Sequence, residues 1–394
     1  MSKISLKHSG GNVVSLNSPT NAPGAADVAF KLPNADGSDG QALVTDGAGN
    51  LSFANAGGKA RNLIINGAFL IAQRSSSDTT SSGYQTVDRF EANQFGVAAS
   101  PLQRQFDVAS GTTPYTLGFR KSYRLQNGNQ TQADSDAFIR FKTTLEAQDI
   151  ANSGWDYVSS SSFITLSFWI KSSVAQNFYG RVQTEDGTAR NYPFETGSLT
   201  ANTWTKVIKT IPGSSSPALQ FDNNVNAGLI LEIAGWYGTD YTGSMSLNTW
   251  ATYSDRTPDY GAAMDDWYLT NDATLEITGV QLEVGPQATP FEHRSYGEEF
   301  ALCQRYYQQL RLPEDYSNGI SATYVYRSYY LPVTQRATGT GTVVSQCRYY
   351  SGGSGVNFTP DSILPRIDTI TVRGVSLTSA NGFIDGTIGI DAEF

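Results

Sequence analysis

The sequence predicts an all-β protein: an N-terminal strand-sharing segment, a jelly-roll β-sandwich, and a small C-terminal β domain entered by a short helix. Three observations carry this. Leu275 and Ile277 alternate with polar residues, and after Gly279 the alternation resumes one residue out of phase at Val280, Leu282 and Val284; that is how a half-buried strand with a β-bulge looks in sequence. Turn dipeptides such as Asn127-Gly128 and Asp186-Gly187 separate many short alternating runs, and the chain holds 38 glycines, the pattern of strands joined by tight turns. Only 16% of the 394 residues are charged against 39% hydrophobic, enough apolar material for a sizeable core.

Charge and targeting signals narrow the partners. A net charge of −9 and a pI near 4.8, with no basic run, argue against nucleic acid, because phosphate neutralisation needs clustered Lys and Arg. Cys303 and Cys347 form no CxxC pair and no disulfide framework, so both are expected reduced and buried. The opening MSKISLKHSGG has no apolar core and no run approaches ~18 apolar residues, so neither a signal peptide nor membrane insertion is expected.

Taken in order, residues 1–60 are rich in Gly, Ala, Asn and Asp with short apolar runs, too little to bury a core alone, so the segment is either disordered or folds by sharing strands among identical chains. Asp46-Gly47 and Gly49-Asn50 lie between strands Gln41–Thr45 and Leu51–Phe53, which reads as a hairpin. Residues 61–294 form the main domain. Its clearest strand is Phe163–Ser172, with Ile164, Leu166, Phe168 and Ile170 inward and Thr165, Ser167, Trp169 and Lys171 outward. Further strands are expected at Ser122–Leu125, Ala137–Thr143, Tyr179–Gln183, Trp204–Ile211, Gly228–Ile233 and Asp266–Leu269, and a helix at Leu145–Ala151. Such a set packs economically as two sheets. Residues 295–394 open with a capping box, Ser295-x-x-Glu298, and Phe300, Cys303, Tyr307 and Leu310 follow at helical spacing. Strands then read at Ala322–Leu331, Gly341–Tyr350, Ser362–Val375 and Gly382–Glu393.

No catalytic constellation emerges. The only histidines are His8 and His293, too few for a His-based metal site or a Ser-His-Asp triad, and no HExxH, P-loop or GxSxG motif stands in context. No solenoid repeat is visible either, and an enzyme is not expected, although paired carboxylates of a depolymerase would escape a sequence reading. The distinctive stretch is Trp236–Tyr268. Trp236, Tyr237, Tyr241, Trp250 and Tyr253 are candidate glycan contacts, since aromatic faces stack on sugar rings while nearby acids and amides bind hydroxyls. Subunit packing is the competing reading of the same rings, and Trp267 and Tyr268 read as core. Asp255, Asp259, Asp265 and Asp266 are a weak Ca²⁺ candidate with no EF-hand spacing.

Several stretches resemble phage tail-fibre proteins, notably of marine cyanobacterial phages. These are QLEVGPQATPFEHRSYGEEFALCQRYYQ (Gln281–Gln308), NLIINGAF (Asn62–Phe69), which resembles the opening strand of their jelly rolls, Asp88-Arg89-Phe90, LSFWIKSS (Leu166–Ser173) and the ending Ile388–Phe394. Phe30–Phe53 is similar to a module at the N-termini of phage fibre and tail proteins. The resemblance implies a carbohydrate-binding-module-like jelly roll, a homotrimer, a structural calcium in some such modules, attachment to other tail or baseplate proteins through residues 1–60, and a virion adhesin for host surface polysaccharide. A purely structural collar, whisker or baseplate protein is the alternative.

Overall fold

A computed structural model describes residues 3–7, 13–17, 31–33, 36, 41–45, 50–55, 61–131, 133–241, 246–253, 265–318, 324–351, 354–360, 362–375 and 381–394. The chain divides into two compact units, 1–59 and 60–394. In the first, β1 (Lys3–Lys7) pairs antiparallel with β2 (Val13–Asn17), and β3 (Gln41–Thr45) with β4 (Leu51–Asn55). The second pair is the predicted hairpin, with Leu43 opposite Phe53.

The second unit opens with β5 (Glu91–Val97), β6 (Leu102–Asp107), a one-turn helix α1 (Thr113–Thr116), β7 (Lys121–Gln126), β8 (Ala133–Glu146) and helix α2 (Ala147–Ala151). It continues through β9 (Phe163–Ser172), β10 (Asn177–Thr184), β11 (Arg190–Ser198), β12 (Thr205–Pro212), β13 (Ala227–Tyr237), β14 (Ala251–Thr252), helix α3 (Asp265–Leu269) and β15 (Thr274–Val284). These strands form a six-stranded sheet, β14-β11-β10-β13-β8-β5, and a five-stranded sheet, β12-β9-β15-β7-β6. The chain crosses repeatedly between the sheets, at β5–β6, β7–β8, β8–β9, β9–β10, β11–β12, β12–β13 and β14–β15, the winding of a jelly roll. Ile164, Leu166, Phe168 and Ile170 of β9 meet Phe141 of β8 and Leu229, Leu231 and Ile233 of β13 in one continuous core.

The bulge expected at Gly279 is present. The β15–β9 register shifts between Thr278 and Gln281, and Gly279 takes φ +62°, where a Cβ would sit 2.6 Å from the Phe119 ring. Only glycine adopts that backbone at that distance without strain.

Helix α4 (Tyr296–Gln304) leads to β16 (Tyr307–Asn318), β17 (Tyr324–Tyr330), β18 (Thr340–Ser351), β19 (Ser354–Phe358), β20 (Ser362–Pro365), β21 (Thr369–Val375) and β22 (Asn381–Asp391). Two sheets result, β16-β22-β18-β19 and β17-β21-β20. Ser295 caps α4 by accepting from the Glu298 N–H at 3.3 Å. Cys303 and Cys347 are both free and buried. No helix among the described residues is long and apolar enough to cross a membrane.

Several sequence expectations are corrected. Asp266–Leu269 is helical rather than a strand, within α3. Tyr307 and Leu310 extend no helix: α4 ends at Gln304 and both belong to β16, where Tyr307 pairs with Asp391. Ser362–Val375 is a hairpin of β20 and β21 rather than one strand. Asn62–Phe69 is a loop, not an opening strand. Asn66 and Phe69 take φ 59° and 56°, values that break a strand. The loop is fixed by the Asn66 side chain, which donates to the Ile71 and Asp88 carbonyls at 2.8 Å each and accepts from the Ile71 N–H. Asn62 bonds the closing strand β15, accepting from the Leu282 N–H at 3.0 Å.

Candidate functional site

The face of the six-stranded sheet turned away from the core divides into a covered part and an open end. Pairing fixes which side chains share it. Asn93 of β5 opposes Arg140 of β8, Phe95 opposes Phe138, and Arg140 and Lys142 oppose Ala234 and Glu232 of β13. In β10, Arg181 opposes Glu232. Glu232 therefore lies between two guanidiniums, 2.8 Å from Arg181 and 3.0 Å from Arg140. Burial alone would raise its pKa, but Arg181 and Arg140 hold it below the ordinary carboxylate range. The Tyr237 hydroxyl adds a bond at 3.2 Å, and the Arg181 guanidinium lies 4.8 Å from the Tyr253 ring centre.

The five sequence candidates fall mostly inside. Trp236 stacks on Tyr268 at 4.0 Å and 20°. Trp250 packs on Tyr192 at 5.3 Å and donates its indole N–H to the Pro212 carbonyl at 2.7 Å. Trp236, Tyr237, Tyr241 and Trp250 are all buried, between 0% and 9% exposed. Rings so enclosed offer no face to a sugar, so as a stacking surface these four are corrected to core. The physical cause is local: the β13–β8 register shifts between Ala234 and Trp236, and at Gly235 a Cβ would lie only 3.2 Å from the Trp267 ring. The bare glycine lets α3 pack there. Tyr253 alone stays half-buried. Of the calcium candidates, Asp255 and Asp259 lie outside the described residues, the side chain of Asp265 does too, and Asp266 is exposed. No cluster of three His, Cys, Asp or Glu able to hold a metal occurs among the described residues. His293 is a structural group: its Nε2 donates to the Leu117 carbonyl at 2.9 Å.

The open end was not singled out in the sequence. Phe95 is 56% exposed, and it is the only exposed Phe, Tyr or Trp among the described residues of 61–294. Phe138, half-buried, lies beside it at 6.2 Å with ring planes 28° apart. Tyr241 meets Phe138 edge-on at 5.9 Å, and the Arg140 guanidinium sits 4.2 Å from the Phe138 ring centre. Asn93 flanks the pair, and Ser135 donates to Asp240 at 3.1 Å nearby. A bulge holds this geometry: Gly96 takes φ +62°, the β5–β8 register shifts between Phe95 and Val97, and a Cβ at Gly96 would approach the Ala137 Cβ to 2.8 Å. Bulges at sheet edges re-aim side chains in this way. Leaving a Phe open forgoes about 1.5–3 kcal/mol of burial. The result is a shallow two-ring platform with donors and acceptors at its rim, suited to a flat, partly apolar ligand.

The other outer face closes on itself. Across the five-stranded sheet Arg124 lies 3.1 Å from the Phe106 ring centre, Glu276 bonds Arg124 at 2.7 Å and Lys171 at 3.0 Å, and Lys171 lies 5.0 Å from the Trp204 ring. Arg124, Lys171 and Glu276 are thus partnered with one another.

No family model matches the sequence. No curated protein matches it either. Among solved structures, the chain is similar to the enzymatically active domain of bacteriophage CBA120 tailspike protein 4, at 10% identity and a TM-score of 0.30, covering 57% of this chain and 22% of that one. It is also similar to a putative sugar-binding protein from Bacteroides thetaiotaomicron (14% identity, TM-score 0.27, 57% and 100% covered). The N-terminal cellulose-binding domain of Cellulomonas fimi β-1,4-glucanase C matches at 9% identity and a TM-score of 0.25, with 56% and 99% covered. The chain thus spans about a fifth of the tailspike. All three similarities are remote, below the identity and fit at which a function transfers.

Proposed function

We propose that this protein is a phage virion adhesin that binds host-surface polysaccharide through the Phe95–Phe138 platform. The carrying observation is the exposure of Phe95 beside a second ring while every other Phe, Tyr or Trp in the described sandwich is at least half-buried. A pyranose presents an apolar C–H face that stacks on such rings, and its hydroxyls would meet Asn93 and Arg140 at the rim. One shallow site binds weakly, so adhesion would come from several copies acting at once, in a homotrimer and across several fibres. Residues 1–60 would then attach the chain to other tail proteins. Binding and not bond cleavage is the proposed activity.

The test is binding of the intact chain to purified surface polysaccharides from susceptible bacteria. Saturable binding competed by the free polysaccharide supports the adhesin. Binding to tail or baseplate proteins alone, with none to any polysaccharide, favours a structural virion component. Chain shortening of the polysaccharide on incubation would instead reveal a depolymerase.

A further inference from the structure

Four arginines cross the seam between the sandwich and the C-terminal sheets, two in each direction. From the sandwich, Arg74 lies 3.8 Å from the Tyr307 ring centre and bonds Asp391 at 2.8 Å. Arg89 lies 3.4 Å from the Tyr306 ring centre and 5.7 Å from that of Phe394, and donates to the Glu393 carboxylate and the Thr144 carbonyl. In return Arg305 grips Glu146, at the end of β8, with two bonds of 2.8 and 2.9 Å, and the Tyr306 hydroxyl donates to the same carboxylate at 2.8 Å. Arg336 donates to the Val225 carbonyl at 3.0 Å and lies 3.8 Å from the Phe394 ring centre.

Most of these groups are out of water. The side chains of Arg89 and Glu393 are each 3% exposed, and that of Glu146 is 0% exposed. A buried charge tolerates its environment only while its partner is in place, and here the partners sit on opposite sides of the seam. Opening it strands several charges at once. Arg89 is the most committed, because its backbone is also held at φ 69° and its carbonyl accepts from the Thr143 hydroxyl at 2.7 Å. Among the described residues, the C-terminal sheets share a cluster of six fully buried side chains, including Leu312, Cys347 and Ile388.

We infer that Arg89 is the keystone of an ion and ring seam that makes the sandwich and the C-terminal sheets one cooperative body. The seam also sits at one end of β8, and Phe138 of the platform is eight residues from Glu146 along that strand, roughly 26 Å at ~3.3 Å per residue. A load on the platform would therefore reach the C-terminal sheets through β8 and this seam. The inference does not depend on what the platform binds.

The test follows two signals in the intact chain during denaturant titration. All six tryptophans lie between Trp155 and Trp267, so their fluorescence reports the sandwich, while amide exchange in β16 and β22 reports the C-terminal sheets. In the wild type the two transitions should coincide. Arg89→Lys keeps the charge but loses the planar fork and the ring stacking, and it should speed exchange in β16 and β22 by about tenfold or more while the tryptophan signal stays native. Arg336→Lys should do the same more weakly. Separate transitions in the wild type would overturn the inference, as would unchanged exchange in both variants. If Arg89→Lys unfolds the whole chain, Arg336→Lys decides: faster exchange supports the seam and unchanged exchange refutes it.

Discussion

Two neighbouring regions of the six-stranded sheet use aromatic residues for opposite purposes. Around β13 and α3, Trp236, Trp250, Trp267 and Tyr268 are enclosed; on β5 and β8, Phe95 and Phe138 form an open platform. Density of rings in the sequence marks the first region and says nothing of the second. What separates them is register. A bulge at Gly235 makes room for Trp267, and a bulge at Gly96 leaves Phe95 exposed on the edge strand β5. Accessibility, and not ring count, decides which aromatics can recognise a ligand.

The largest effect should come from breaking the enclosed region. Trp267→Ala leaves a cavity in a filled core and should cost about 3–5 kcal/mol, read as a lowered midpoint in denaturant, with polysaccharide binding of the remaining folded protein unchanged. Next, Glu232→Gln leaves Arg181 buried beside a neutral partner and should cost about 3 kcal/mol at neutral pH. Because the folded protein holds the Glu232 carboxyl below its ordinary value, its contribution is present above the usual carboxylate range and is lost as pH falls through the lowered value. The variant should therefore lose less stability than the wild type on acidification, measured by chemical denaturation at stepped pH.

Asp88 has the opposite sign. Burial raises its pKa to about 6, against the opposing bonds from Gln73 and the charge of Arg74. Its ionised form is disfavoured in the folded state, so its favourable term is present below the unfolded value and is lost as pH rises through about 6. Asp88→Asn should gain relative to the wild type between pH 4 and pH 7, by at most about 3 kcal/mol and less by the altered bond to Gln73. A variant whose disadvantage grows with pH would contradict this.

Much of the fold was legible because its signals are local. The alternation of β9 and β15, the phase slip at Gly279 and the Ser295 cap all follow from nearest neighbours in sequence. The loop at Asn62–Phe69 was not, because its left-handed Asn66 and Phe69 are imposed by bonds to Ile71, Asp88 and β15, which alternation does not encode. The same holds for Asp266–Leu269, part of the five-residue helix α3, whose Trp267 and Tyr268 carbonyls are held by the Asn127 side chain. The platform was hidden for a related reason. EANQFGV has no clean period-two pattern, and only its pairing with β8 sets Phe95 against Phe138.

The smallest effect on stability and the largest on binding should fall on one residue. Phe95→Ala removes an exposed ring and should shift stability by no more than about 0.5 kcal/mol. The measurement to make is therefore the affinity of intact wild type and Phe95→Ala for the same host polysaccharide, with thermal stability recorded alongside. The account predicts near-equal stability and at least about a tenfold loss of affinity, in line with about 1–3 kcal/mol for one stacked ring. Equal affinity at equal stability would contradict it and return Phe95 to the role of a protein contact.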